Sequence, residues 1–220
     1  MQLLRNIPEV LPQPCIATIG FFDGVHRGHR YLIEQVREVA VAHGFASGVV
    51  TFPVHPRKVV QPEYHPELLT TYEEKVALLA ETGLDYCMML DFTPEVAILS
   101  AKEFMLFLYN HYNIRALVIG YDHRFGHNRS EGFDDYVRYG QELGIEVILA
   151  HAYIDKDVAV SSSVIRQLLS EGNVSEAASC LGYDYFLNGI VVSGYRVGRK
   201  IGFPTANLRV DDPDKLVPSE

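Results

Sequence analysis

What constrains this chain most is a rhythm. Short apolar runs alternate with longer stretches that place their apolar residues at helical spacing. The first run, Ile16–Ile19, is stopped by Gly20, and a helical pattern opens near Gly28 with Tyr31, Leu32, Val36 and Val39 on one side. Ala46–Phe52 is a second β-rich run ending at Pro53, and a helix is expected over Thr71–Glu81 with Val76, Leu78 and Leu79 inward and Gly83 after it. Asp85–Leu90, Arg115–Gly120 and Ile145–Ala150 read as further strands. Between and after them come helices at Ser100–Tyr112, Gly132–Leu143, Ser161–Ser170 and Val174–Cys180. Ser100 with Glu103 forms a capping-box pattern. Strands and helices in this alternation predict an α/β domain, a doubly wound parallel sheet with right-handed crossovers.

The pattern stops at Gly182. Tyr185–Val192 reads as a strand with no helix after it, a stretch rich in glycine and cations follows (Ser193–Leu208), and Ala206–Val210 reads as a short strand. Residues 1–182 are therefore expected to form one domain. Residues 183–220 read as the opening of a β-type domain, too short to build a core alone.

Composition narrows the function. A net charge of −9 argues against sequence-independent binding to long nucleic acid but leaves small anionic substrates open. Cys15, Cys87 and Cys180 are isolated in apolar surroundings, the pattern of reduced, buried thiols rather than of a metal site or a disulfide framework. No apolar run reaches membrane-spanning length, so a cytoplasmic protein is expected.

Four stretches that can carry chemistry follow four of the strands, at the edge where an open α/β sheet binds its ligand. The first holds His26 and His29 at the start of a helix, with Gly20, Phe22, Asp23, Gly24 and Gly28 around them. Free helix N–H groups, close-approaching glycines and two imidazole donors suit a phosphate. Surface histidines satisfying nearby carbonyls are the plainer alternative. The second holds Asp122, a candidate for a magnesium ion, a ribose hydroxyl or a substrate ring, with Arg124 and Arg129 as phosphate forks. A solvated charged loop would look similar. The third is Ser161-Ser162-Ser163 with Arg166: one serine is explained by a helix cap, and the rest can grip a triphosphate tail. The fourth is His55 and Arg57 in a proline-stiffened loop that can also be a rigid surface turn. No nucleophile–base triad, reactive cysteine, P-loop lysine or structural zinc spacing is visible, so a site that positions substrates and neutralises charge is expected rather than covalent catalysis.

The run Gly20-Phe21-Phe22-Asp23-Gly24-Val25-His26-Arg27-Gly28-His29 resembles the histidine-x-glycine-histidine signature of the adenylyltransferase superfamily, in the form found in bacterial bifunctional riboflavin kinase/FAD synthetases. Thr51–Pro56, Leu69–Leu79, Ile119–Arg129 and Val160–Arg166 match that family in order, and Gly194–Leu208, with Gly202-Phe203-Pro204-Thr205-Ala206-Asn207, resembles the opening of its kinase module. The resemblance implies a Rossmann-like sheet of the nucleotidyltransferase type over residues 1–182, followed over 183–220 by the truncated start of a β-barrel kinase domain. It implies transfer of AMP from ATP to FMN with Mg2+, giving FAD and pyrophosphate. His26, His29, Ser162 and Arg166 would be catalytic, with Gly20, Phe22, Asp23, Gly24, Gly28, Ser161 and Ser163 at the nucleotide. Asp122, Arg124, Phe125, His55 and Arg57 would hold FMN. Thr205 and Asn207 would serve magnesium and nucleotide in the kinase module, whose activity on riboflavin is expected only in a longer protein. His123 stands where the family usually has Phe. Transfer to another phosphate ester, and a flavin- or nucleotide-binding module without catalysis, are the competing readings.

Overall fold

The computed structural model describes residues 1–5, 10–120, 122–153, 160–195 and 197–218, with the side chain of Asn128 also left out. Tyr121 of the second loop and Arg196 of the tail thus lie outside the described residues. Strands β1 (Gln2–Arg5), β2 (Cys15–Ile19) and β3 (Ala46–Thr51) flank helix α1 (Arg27–His43). The short α2 (Pro56–Val60) precedes α3 (Tyr72–Ala80), β4 (Tyr86–Met89) and a second short helix, α4 (Pro94–Ala97). Then come α5 (Ala101–Tyr112), β5 (Ile114–Ile119), α6 (Phe133–Leu143), β6 (Glu146–Leu149), α7 (Ser162–Ser170) and α8 (Val174–Leu181).

The six strands form one sheet in the order β1-β4-β3-β2-β5-β6, every pair parallel. From β2 the chain winds outward through β3 to β4, then returns to β2's other side for β5 and β6, which makes the β2/β5 boundary the switch point. The side chains obey the two-residue period of a strand. Cys15, Ala17 and Ile19 join a core with Phe104, Met105 and Leu108 of α5 and Tyr136 of α6, while Ile16 faces a second core with Ile33, Val36 and Ala40 of α1 and Leu78 and Leu79 of α3. The expected face of α1 needs one adjustment. Ile33 is the buried residue, whereas Tyr31 is exposed, because the face is set by the register of α1 on β2 and β3.

The capping box at Ser100/Glu103 is present, and Thr71/Glu74 forms another at the start of α3. The edge strand β1 was not expected from sequence: its partly exposed Gln-Leu-Leu-Arg pattern gains meaning only from pairing with β4. A third core joins Leu69 to Ile165, Leu169, Ala177 and Leu181 of α7 and α8.

After α8 the chain forms an exposed antiparallel ribbon, β7 (Ile190–Val192) with β8 (Asn207–Arg209), joined through the short α9 (Val197–Lys200). It then comes back to the first domain. Lys215 bridges to Leu68, Leu216 enters the third core, and the Tyr185 hydroxyl donates to the Leu216 carbonyl at 2.6 Å.

Candidate active site

Loops from the carboxyl ends of β2, β3 and β5 meet the start of α7 around a cleft of about 270 Å³. Phe21, His29, His55, His123, Ser162 and Arg166 face it.

His26 caps α1. Its Nδ1 accepts the His29 N–H at 3.3 Å, which fixes its proton on Nε2 when the ring is neutral. The two rings stack, 3.6 Å between centroids and 18° between planes, and Phe22 meets His29 edge-on at 5.1 Å. Burial pushes His26 down to about 4; the Asp23 carboxylate opposes the shift and Arg166 reinforces it. His29 is held well below the ordinary histidine range, first by burial, then by His26 and Lys75. Both are therefore neutral N–H donors at pH 7, placed at the positive end of a 17-residue helix. Strain marks the loop between β2 and α1: Phe22 and the β-branched Val25 have φ of 56° and 37°. Such angles cost on the order of 1–3 kcal/mol each and persist only where surrounding contacts impose them.

Those contacts come from Asp23, which is turned inward. Its Oδ1 accepts the Thr70 N–H at 3.0 Å and the Thr70 hydroxyl at 3.1 Å, and its Oδ2 accepts the Leu69 N–H at 3.0 Å and Arg166 Nη2 at 2.6 Å. With its carboxylate so engaged, Asp23, itself part of the cleft wall, holds Arg166 at the cleft. Arg166 is further pinned by Nε donating to the Glu67 carbonyl at 2.6 Å. Gly24 is likewise a packing residue: a Cβ there would lie 2.8 Å from Leu69 Cδ1, and its N–H donates to Thr70 Oγ1 at 3.1 Å. Gly20 and Gly28 make room for rings, Gly20 for Phe22 and Gly28 for His26.

The three serines separate in role. Ser161 is the N-cap of α7, accepting the Val164 N–H at 3.3 Å; Ser162 donates to the Asp23 carbonyl at 2.9 Å and faces the cleft; Ser163 is exposed. From the β3 loop His55 reaches the cleft, edge-on to Phe21 at 4.7 Å, with its pKa lowered chiefly by burial. Arg57 does not reach it. Its guanidinium is engaged on the outer surface with Gln61 at 2.8 Å and over the Tyr64 ring at 4.2 Å. From the β5 loop Asp122 is exposed, and Arg124 Nη1 donates to the His123 carbonyl at 3.0 Å. Phe125, expected at FMN, is instead buried in the first core and stacked on Tyr136 at 4.1 Å between centroids, where it anchors the loop. Thr205 and Asn207 are exposed on the ribbon and do not line the cleft.

Sequence reasoning assigned no role to Lys75. Its buried ammonium donates to the carbonyls of Phe21 at 3.2 Å and Phe52 at 2.7 Å, tying together the loops after β2 and β3, and it lies 3.9 Å from the centre of the Phe21 ring. Burial lowers its pKa to about 8, opposed by Asp23. One sequence signal did exist: Lys75 stands three and four residues before Leu78 and Leu79, on the apolar face of its helix, where a lysine requires partners.

A parallel sheet wound both ways from a histidine-bearing switch point defines an α/β domain of the nucleotidyltransferase-like class. Comparisons with known proteins are more specific. The FAD synthetase family profile matches residues 9–164, and the riboflavin kinase profile matches residues 181–220. The Escherichia coli (strain K12) protein named bifunctional riboflavin kinase/FMN adenylyltransferase is 36% identical over 212 residues, covering 94% of this chain and 68% of its own length. Its Listeria monocytogenes namesake is 33% identical over 204 residues, covering 92% and 64% respectively. A crystal structure described as a macrolide-efflux protein from Streptococcus pneumoniae superposes with a TM-score of 0.83 at 31% identity, covering 96% of this chain and 69% of that one. The chain belongs to the bifunctional riboflavin kinase/FMN adenylyltransferase family, with an FAD synthetase domain and part of a riboflavin kinase domain.

Proposed function

We propose that the cleft binds ATP and FMN side by side and that the chain's own residues act by positioning and charge neutralisation. The stacked, neutral pair His26/His29 at the head of α1 is the observation that carries this reading. A phosphate oxygen of FMN attacks the α-phosphorus of ATP; the bond from that phosphorus to the oxygen bridging to the β-phosphate breaks, and pyrophosphate leaves. Charge builds on phosphoryl oxygens and the leaving group. The imidazole N–H groups, the α1 N-terminus and the remaining Nη1 of Arg166 are the donors available to that charge, and Ser162 can join them if its hydroxyl turns from the Asp23 carbonyl. Neutral imidazoles stabilise it without giving up a proton, which fits a transfer with no covalent enzyme intermediate. Exposed Asp122 and the partly buried Arg124 do not line the cleft but flank His123, which does, and are proposed to contact the flavin nucleotide beyond its rim, with His55 reaching in from the β3 side.

Magnesium fits here as a companion of the nucleotide. Among the described residues no group of three or more His, Cys, Asp or Glu side chains could hold a metal ion, and the Asp23 carboxylate is already engaged. An ion carried on ATP phosphates would neutralise phosphate charge and need few protein ligands. We place the domain boundary at residues 182/183 and propose that Thr205 and Asn207 serve nucleotide and magnesium in the riboflavin kinase part, to which phosphorylation of riboflavin belongs. A cytoplasmic setting is proposed from Cys15 and Cys87, both buried as free thiols.

The test replaces the pair. His26→Asn with His29→Asn should lower kcat for FAD formation on the order of a hundredfold or more while the melting temperature changes little. Parallel losses of activity and stability would make the pair structural and contradict the reading.

A further inference from the structure

Two imidazole nitrogens on this cleft are buried with no hydrogen-bond partner: Nδ1 of His29 and Nε2 of His123. His29 belongs to the pair already described. His123 does not. It projects from the loop after β5, on the opposite side of the switch point from α1.

The loop around His123 is built rigidly. Its backbone N–H donates to the Gly120 carbonyl at 3.1 Å, and its carbonyl accepts from Arg124 Nη1 at 3.0 Å. The ring rests on Phe125 at 6.0 Å between centroids, and Phe125 is clamped by Tyr136, whose hydroxyl accepts the Phe125 N–H at 3.1 Å. The imidazole is thus held by packing, while Nε2 is left unsatisfied. An apolar ring would fill the same space without that desolvation cost. A polar nitrogen kept buried and unpartnered, on a residue that lines a cleft, is accounted for when a ligand supplies its partner. Burial first, then Arg129 and Arg124 near the ring, all oppose a positive charge on it and together outweigh Asp122, which favours one, so the ring is neutral.

We propose that His123 is a substrate-binding residue of the adenylyl-transfer site, its Nε2–H donating to a phosphate oxygen in the cleft opposite His26 and His29. The phosphate would then be gripped from both sides of the switch point. This inference rests on the adenylyl-transfer reading. The phosphate is either the nucleotide's or the flavin's, and the chemistry of recognition is the same for both.

The experiment compares wild type, His123→Phe and His123→Gln by calorimetric titration with ATP–magnesium and with FMN separately, by steady-state FAD formation, and by melting temperature. A glutamine amide can present an N–H near the position of Nε2. His123→Phe should lose on the order of tenfold to a hundredfold in one affinity or in kcat, as for a hydrogen bond to a charged group, with a melting temperature equal to or above wild type. His123→Gln should recover part of the loss. A fall in ATP affinity assigns the contact to the nucleotide phosphate, a fall in FMN affinity assigns it to the flavin phosphate, and a fall in kcat alone places it in the transition state. His123→Phe with both affinities and kcat within about twofold of wild type overturns the proposal. So does a loss that follows a fall in stability and is not recovered by Gln. A wild-type chain that binds both ligands without forming FAD would fail the adenylyl-transfer reading, while the affinity comparison would still decide the role of His123.

Discussion

The return of the chain at Lys215 invites a quantitative test. Lys215 and Glu74 are buried, with side chains 1% and 2% exposed, and their charges meet at 2.7 Å. The Lys215 ammonium also donates to the Leu69 carbonyl at 2.7 Å and lies 4.4 Å from the centre of the Tyr185 ring. Replacing Lys215 by Met keeps the apolar stem and leaves Glu74 without its cation. Removing one partner of a buried pair costs roughly 3–5 kcal/mol. Glu74 retains the Thr71 N–H at 3.0 Å and the Asn188 amide at 3.0 Å, which places the cost at the lower end. For a chain of this size about 3 kcal/mol corresponds to a drop of roughly 6–12 °C in melting temperature. Thermal unfolding followed by circular dichroism reads it directly. The double variant with Glu74→Gln should lose less than the sum of the two single variants, because the carboxylate left stranded in the Lys215→Met protein is gone. A shift below about 1 °C for Lys215→Met, or strictly additive losses, would show that residues 211–217 do not pack as described and refute the reasoning.

Stability should also fall in mild acid. His26 titrates near 4 in the folded chain against an ordinary value of 6.5, and His29 and His123 are lowered as well, each mainly by burial. Between about 6.5 and 4 the unfolded chain takes up more protons than the folded one, so this contribution is complete above pH 6.5 and is lost as pH falls toward 4. Chemical denaturation across that range should show the decline, and His123→Phe should flatten it; an unchanged slope would contradict the burial of that ring. Gly24→Ala should destabilise the fold by more than about 1 kcal/mol, because Gly24 has φ of +79° and the new Cβ would meet Leu69. A denaturant midpoint equal to wild type would refute that packing.

Much of the architecture was legible because local pattern and tertiary role agree. Buried β2, β3 and β5 read as apolar runs, and the caps at Ser100 and Gly132 open helices where expected. The cleft was legible as a set of loops, since a strand end's position in a parallel sheet follows from topology. Side-chain direction was harder to read. Asp23 read only as a ligand contact, yet its buried carboxylate also anchors Arg166 at the cleft wall; Phe125 looked like a flavin contact and is packed in the core. Each is decided by a partner distant in sequence, Thr70 and Leu69 for Asp23 and Tyr136 for Phe125. The same holds for Lys215, whose partner Glu74 stands 141 residues away. No local periodicity could announce that pairing.

At the switch point, neutral imidazoles and an α-helix terminus are proposed to promote adenylyl transfer between ATP and FMN. Incubating the chain with FMN, ATP and magnesium, with FAD and pyrophosphate quantified in parallel, tests it most directly. FAD and pyrophosphate should form in equal amounts, with no labelled adenylyl–enzyme from ATP labelled at the α-phosphate. A folded chain that forms no FAD, or one that accumulates a covalent adenylyl-enzyme, would contradict it.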